Sequence, residues 1–226
     1  MNLEHRDDRE NIEHDAFLSS LVRAWNVLAA KRWFVLGATA AVAVAALLVM
    51  VVVRANRLKE ERAGALLNRA TTLIEAERRQ EAQPLLEKVR DQYDGTSAAI
   101  DARYFLGLAA VAADQLPQAR KELGEFLSSH HQDDFMRAAA EGGLAVCLEH
   151  EKKWAEAAAG WTKAALVDEA QNFNAPGYLL NAALCWEQAG KPDEALKLLD
   201  RIIEKYPKSQ LKTRVETIQA RLKPAS

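Results

Sequence analysis

The stretch Trp33 to Val53, WFVLGATAAVAVAALLVMVVV, constrains this chain more than any other. Its 21 residues carry no charge; Lys31 and Arg32 stand immediately before it and Arg54 immediately after. That is the length and flanking of one helix crossing a bilayer, which needs about 20 apolar residues. A buried helix of a soluble protein seldom runs so far without a polar position. A cleaved signal peptide fits poorly, because its apolar core is about 7 to 15 residues long and starts near the first residue. Here 32 residues precede the run, and the small residues Ala38, Thr39 and Ala40 lie inside it rather than after it. Neither cysteine is near the run and the last residues read Lys-Pro-Ala-Ser, so no lipid attachment is indicated. The expectation is a retained single-pass anchor over 33–53, with the work of the chain done at a membrane.

Residues 1–14 carry dense mixed charge and little apolar content, and are expected to form a disordered tail that cannot offset the entropy of ordering. From 15 to 30 the pattern changes: Phe17, Leu18, Leu21, Val22, Trp25, Leu28 and Ala29 fall at helical spacing on one face. An amphipathic helix placed there either lies in the membrane interface or packs on a partner or the anchor. Basic residues are nearly balanced across the span, with Arg23, Lys31 and Arg32 before it and Arg54, Arg57, Lys59 and Arg62 after. The count does not decide orientation. Because Lys31 and Arg32 abut the core and long domains translocate with little regard to charge, we expect the N-terminus in the cytoplasm and the large domain outside.

About 170 residues follow the anchor, enough for one domain with a real core. The 30 basic and 32 acidic side chains leave a net charge of -2, so nothing in the balance draws nucleic acid. Abundant alanine and few aromatics suit closely packed helices, and the fold class expected is all-α. Self-similarity decides the architecture. Ala82, Ala119, Ala157 and Ala195 recur at spacings of 37, 38 and 38, each at the start of the second helix of a pair. In the segment Pro176 to Pro207, the residues Trp186, Gly190, Ala195, Leu199, Ile202 and Pro207 stand as an aromatic, a turn glycine, a small contact residue, two packing residues and a terminating proline.

That pattern resembles the tetratricopeptide repeat, which implies helical hairpins stacked into a right-handed solenoid over 60–222. Earlier units follow with Leu144, Leu148, Ala157, Trp161 and Ala164; with Leu106, Gly107, Ala119, Leu123 and Phe126; and with Ala70, Ala82, Leu86 and Val89. Leu211, Val215, Ile218 and Leu222 form the apolar side of an expected capping helix. By analogy with the repeat, the first helices line a concave face containing Leu67, Ile74, Tyr104, Leu108, Val111, Val146, Glu149, His150, Leu180, Leu184 and Glu187. Such a groove either holds an extended peptide or partner helix or is filled by the solenoid's own side chains. The asparagine and lysine set with which some relatives hold a C-terminal carboxylate is missing.

Chemistry is sparse. Cys147 and Cys185 are 38 residues apart, hence at equivalent first-helix positions, and read as small core residues rather than a disulfide or zinc pair. His130, His131, Asp133 and Asp134 are too close in sequence to converge on a metal without a special loop. No phosphate loop, nucleophile elbow or zinc-protease motif occurs, so no enzyme, cofactor, metal or small-molecule substrate is expected. A short tail, an early anchor and a tetratricopeptide-like domain together resemble the bacterial ancillary SecYEG translocon subunit family. The resemblance implies an inner-membrane protein with a periplasmic domain. Its partners would be unfolded envelope clients, the translocon or a periplasmic chaperone; the alternative is a static scaffold for another envelope complex.

Overall fold

The computed structural model describes residues 18–20, 22–23, 25, 32–129 and 133–223. Its helices are α1 (Arg32–Glu75), α2 (Arg79–Gln92), α3 (Ser97–Ala112), α4 (Leu116–Ser128), α5 (Asp134–His150), α6 (Trp154–Leu166), α7 (Ala175–Gln188), α8 (Pro192–Lys205) and α9 (Lys212–Leu222). No strand occurs among the described residues. Of the region expected as an amphipathic helix, Leu18, Ser19, Ser20, Val22, Arg23 and Trp25 are helical, with Leu18, Val22 and Trp25 exposed. Phe17, Leu21, Leu28, Ala29 and the expected tail at 1–14 lie outside the described residues.

The chain divides into two compact units, one reaching Arg57 and the other starting at Leu58. In the first, every side chain described between Trp33 and Val53 is exposed. The stretch is long and apolar enough to cross a membrane, and none of it is buried within the chain. The helix does not stop at Val53. It runs on to Glu75 because Arg54 through Ala63 offer strong helix formers and neither glycine nor proline. Its last part, in the second unit, is therefore the first helix of the first hairpin.

The second unit is a solenoid of hairpins, α1 end with α2, α3 with α4, α5 with α6 and α7 with α8, in which each helix packs on its neighbours in sequence. One turn recurs four times. Glu77, Asp114, Lys152 and Gly190 adopt left-handed conformations, with φ of 59°, 58°, 58° and 70°. The next residue's N–H reaches back to a carbonyl five residues earlier: Arg78 to Leu73 at 2.8 Å, Gln115 to Ala110 at 2.8 Å, Lys153 to Leu148 at 2.9 Å and Lys191 to Trp186 at 2.9 Å. This closure satisfies carbonyls at the end of one helix while the chain reverses into the next. Five residues after each left-handed position stand Ala82, Ala119, Ala157 and Ala195, at most 1% exposed. The small side chain lets the second helix close onto the first, and the interior fills with Leu86, Val89, Leu123, Phe126, Leu199 and Ile202. The final helix α9 adds Val215 and Ile218 to the last cluster.

Charge is used sparingly inside. Glu122, 1% exposed on α4, accepts from Arg90 Nη1 at 2.7 Å and Arg103 Nη1 at 3.4 Å, tying the first two hairpins together. Glu141 on α5 meets Lys163 Nζ at 2.6 Å. A buried carboxylate is tolerated when cations match it in this way.

Only Gly190 among the four turn residues avoids the Cβ penalty of the left-handed region, about 1 kcal/mol or more for other residues. Lys152→Gly should therefore stabilise the solenoid by about 0.5–1 kcal/mol, raising its melting temperature by roughly 2–4 °C. Gly190→Ala should destabilise by about 1 kcal/mol although its added Cβ would meet nothing within 4 Å. Thermal or urea unfolding of the two variants checks both signs.

Candidate functional site

Counting back from the left-handed residue places every residue expected in the groove. Ten positions before it stand Leu67, Tyr104 and Leu180, and this position is mostly enclosed: Tyr104 is 6% and Leu180 2% exposed, although Leu180 borders a small recess toward Leu211 and Arg214. It faces the second helix of its own hairpin. Tyr104 packs its ring 5.4 Å from Phe126 and 5.1 Å from Phe105, and Leu180 shares a cluster with Leu199 and Ile202. Burial pushes the Tyr104 phenol up to about 12, so it stays neutral in ordinary conditions. Leu67 is half-buried against the first hairpin's core.

Six positions before the turn stand Leu108, Val146 and Leu184; three before it, Ile74, Val111, Glu149 and Glu187. All are half-buried. His150, two before its turn, is exposed, with Nδ1 2.9 Å from Asp114 Oδ1 on the preceding turn. Glu187 accepts from Arg221 Nη2 at 2.8 Å and is thereby tied to α9.

These residues meet differently at successive junctions. Between α3 and α5 the space is closed: a Cβ added to Gly143 would lie 2.7 Å from Leu123 Cδ1 and 3.4 Å from Leu108 Cδ2, with Val111 just beyond. Between α5 and α7 the counterpart of Gly143, 38 residues on, is Asn181. Here a recess of about 380 Å³ opens, lined by Val146, Glu149, Trp154, Trp161, Asn181, Leu184, Cys185 and Gln188. The structure thus brings Val146, Glu149 and Leu184 together in this recess, and the other expected residues do not line it. Asn181 also borders a second recess of about 340 Å³, toward Tyr178, Leu211 and Arg214.

The floor is ordered by hydrogen bonds. Glu149 Oε1 accepts from the indole Nε1 of Trp161 and from Cys185 Sγ at 3.0 Å. Trp161 stacks on Tyr178 with centroids 5.7 Å apart. Burial, reinforced by the neighbouring Glu149 carboxylate, pushes the Cys185 thiol pKa up, so the sulfur remains a protonated donor and no nucleophile. Cys147 and Cys185 are both free and buried. No group of three metal-ligating side chains occurs among the described residues, and His130 and His131 lie outside them.

Sequence reasoning missed Trp154, Asn181 and Gln188 as lining residues, and placed Trp161 and Cys185 in the core alone. It also missed Phe135 and Phe173, exposed yet stacked at 5.6 Å and 18°. The spacing of 38 between those two phenylalanines was the available signal.

Models of the tetratricopeptide repeat family match residues 67–125 and 178–209. The chain carries tetratricopeptide repeats. The matched segments hold the first two hairpins and the last, and the hairpin between them shares the same turn and the same buried alanine. Among solved structures, the chain is similar to YrrB, described as a TPR protein with an unusual peptide-binding site. Identity is 17%, over 67% of this chain and 90% of that one, with a TM-score of 0.33. No curated protein matches the chain.

One tetratricopeptide junction is longer than the others. Between α6 and α7 the loop is pinned by Glu169, which accepts from Arg201 Nη2 at 2.7 Å, Lys205 Nζ at 2.9 Å and the Tyr206 hydroxyl at 3.2 Å. Asn172 Nδ2 donates to the carbonyls of Ala164 at 2.9 Å and Val167 at 3.2 Å. The Lys205 hydrogen bond, then Arg201, hold the Glu169 carboxyl below the usual carboxylate range against the opposing effect of burial. A carboxyl lowered on folding adds stability above its unfolded pKa of about 4.3, and that contribution fades as pH falls through the lower folded value. Wild type should therefore melt above Glu169→Gln at pH about 6, the difference shrinking steadily below pH about 4. Melting temperatures across that range measure it.

Proposed function

We propose that the chain is a membrane-anchored interaction module that captures polypeptide segments in the groove between its third and fourth hairpins. The observation that carries this reading is the recess itself. Where the preceding junction is closed by Leu108, Val111 and Leu123, this one presents apolar walls at Val146 and Leu184 with the amides of Asn181 and Gln188 beside them. Apolar walls with a few fixed polar groups are what an extended segment or helix face requires. The exposed apolar helix over 33–53 supports anchoring, since in water it would leave a long hydrophobic surface uncovered. Anchoring raises local concentration, so weak contacts suffice for capture.

The setting we infer is the bacterial inner membrane, with the N-terminus cytoplasmic and the repeats periplasmic, where clients are exported envelope proteins emerging beside the Sec translocon or carried by a periplasmic chaperone. Photocrosslinkers at Val146 and Leu184 in intact membranes should attach many different exported polypeptides, while one at buried Tyr104 should attach none. Recovery of one fixed complex in stoichiometric amount would instead identify a static assembly scaffold, and no adduct at either groove position would refute capture there. Reporter fusions to the C-terminus should be active only as periplasmic enzymes; cytoplasmic activity would reverse the orientation.

A further inference from the structure

The recess holds a carboxylate matched by no cation among the described residues. Several enclosed carboxylates are neutralised by cations: Glu122 by Arg90 and Arg103, Glu141 by Lys163, Glu169 by Arg201 and Lys205, Glu187 by Arg221. Glu149 is half-buried in the recess wall, and its donors are neutral: the Trp161 indole and the Cys185 thiol, both directed at Oε1. Oε2 has no hydrogen-bond partner among the described residues. The two neutral donors fix the carboxylate in place without cancelling its charge, and a partly desolvated charge gains most from an opposite charge brought to it. Around it stand Val146, Trp154 and Leu184. A long basic side chain has this same division, an apolar stem and a charged end.

We propose that this recess takes an arginine or lysine side chain from the bound polypeptide, its stem against Val146, Trp154 and Leu184 and its cationic end on Glu149 Oε2. The proposal rests on the groove-capture reading and specifies it: the preferred segment is apolar with a basic residue, not acidic and not uniformly hydrophobic. An apolar segment alone would leave the carboxylate covered and unpaired, which is unfavourable. A segment bearing aspartate or glutamate at that point would add like-charge repulsion.

The test uses full-length protein in detergent micelles and two fluorescein-labelled alanine–leucine peptides, one with a central arginine and one with its neutral isostere citrulline, followed by anisotropy. The arginine peptide should bind about 10-fold more tightly, about 1.4 kcal/mol. Glu149→Gln keeps an acceptor for Trp161 and Cys185, and should abolish that ratio. Val146→Arg supplies a cation from within the chain and should abolish it independently, should the first variant fail to fold. In wild type, raising salt from about 0.05 to about 0.5 M should narrow the ratio by screening. Equal binding of the two peptides to wild type overturns the cation assignment and leaves groove capture standing. A ratio that survives in both variants overturns its placement at Glu149. Binding of neither peptide overturns both readings.

Discussion

The repeat depends on a chain reversal that ends one helix and starts the next within a few residues. At Glu77, Asp114, Lys152 and Gly190 the backbone crosses into the left-handed region, and the amide after each closes onto a carbonyl five residues back. The geometry fixes the angle at which the second helix leaves the first, and the alanine five residues later lets the two close up. A larger side chain at that alanine would overpack the contact at about 1–3 kcal/mol. Three of the four reversals are made by residues with a Cβ, so neighbouring packing enforces a conformation that local preference resists. This is tertiary structure overriding propensity.

Once hairpins are stacked, the question at each junction is how the space between first helices is filled. Gly143 brings α5 close to Leu108, Val111 and Leu123 and leaves no room. Asn181, at the same register one hairpin later, accompanies an opening. The expectation left two possibilities, a groove that is open or one filled from within; the solenoid does each at a different junction. The charged groups follow the same logic, since Glu122 and Glu141 sit where the packing is tight and are matched, whereas Glu149 faces the opening.

The helical class, the four hairpins and their alanine register were legible because the period of 37 or 38 writes the same steric need four times. The end of α1 was not, since an apolar run stops at Arg54 while the backbone has no reason to stop before Glu75. The lining of the recess was legible in part. Val146, Glu149 and Leu184 line one recess as their register suggests, whereas Tyr104 is buried, because one step around the helix separates an open position from one facing the partner helix. The opening itself was hidden because it depends on the volume of Asn181 against Gly143 and on Trp161 turning its indole toward Glu149, a contact between residues on different helices.

The residues three before each turn are Ile74, Val111, Glu149 and Glu187, and Arg221 already holds the last of them. Repetition in the backbone is thus not repetition in the surface it offers. A long ligand lying along the array and slipping by one hairpin would exchange a carboxylate without a cation for a valine, or for a carboxylate already claimed by a guanidinium. Under the capture proposal the solenoid would have a single phase, offering one segment one frame rather than holding a procession of them.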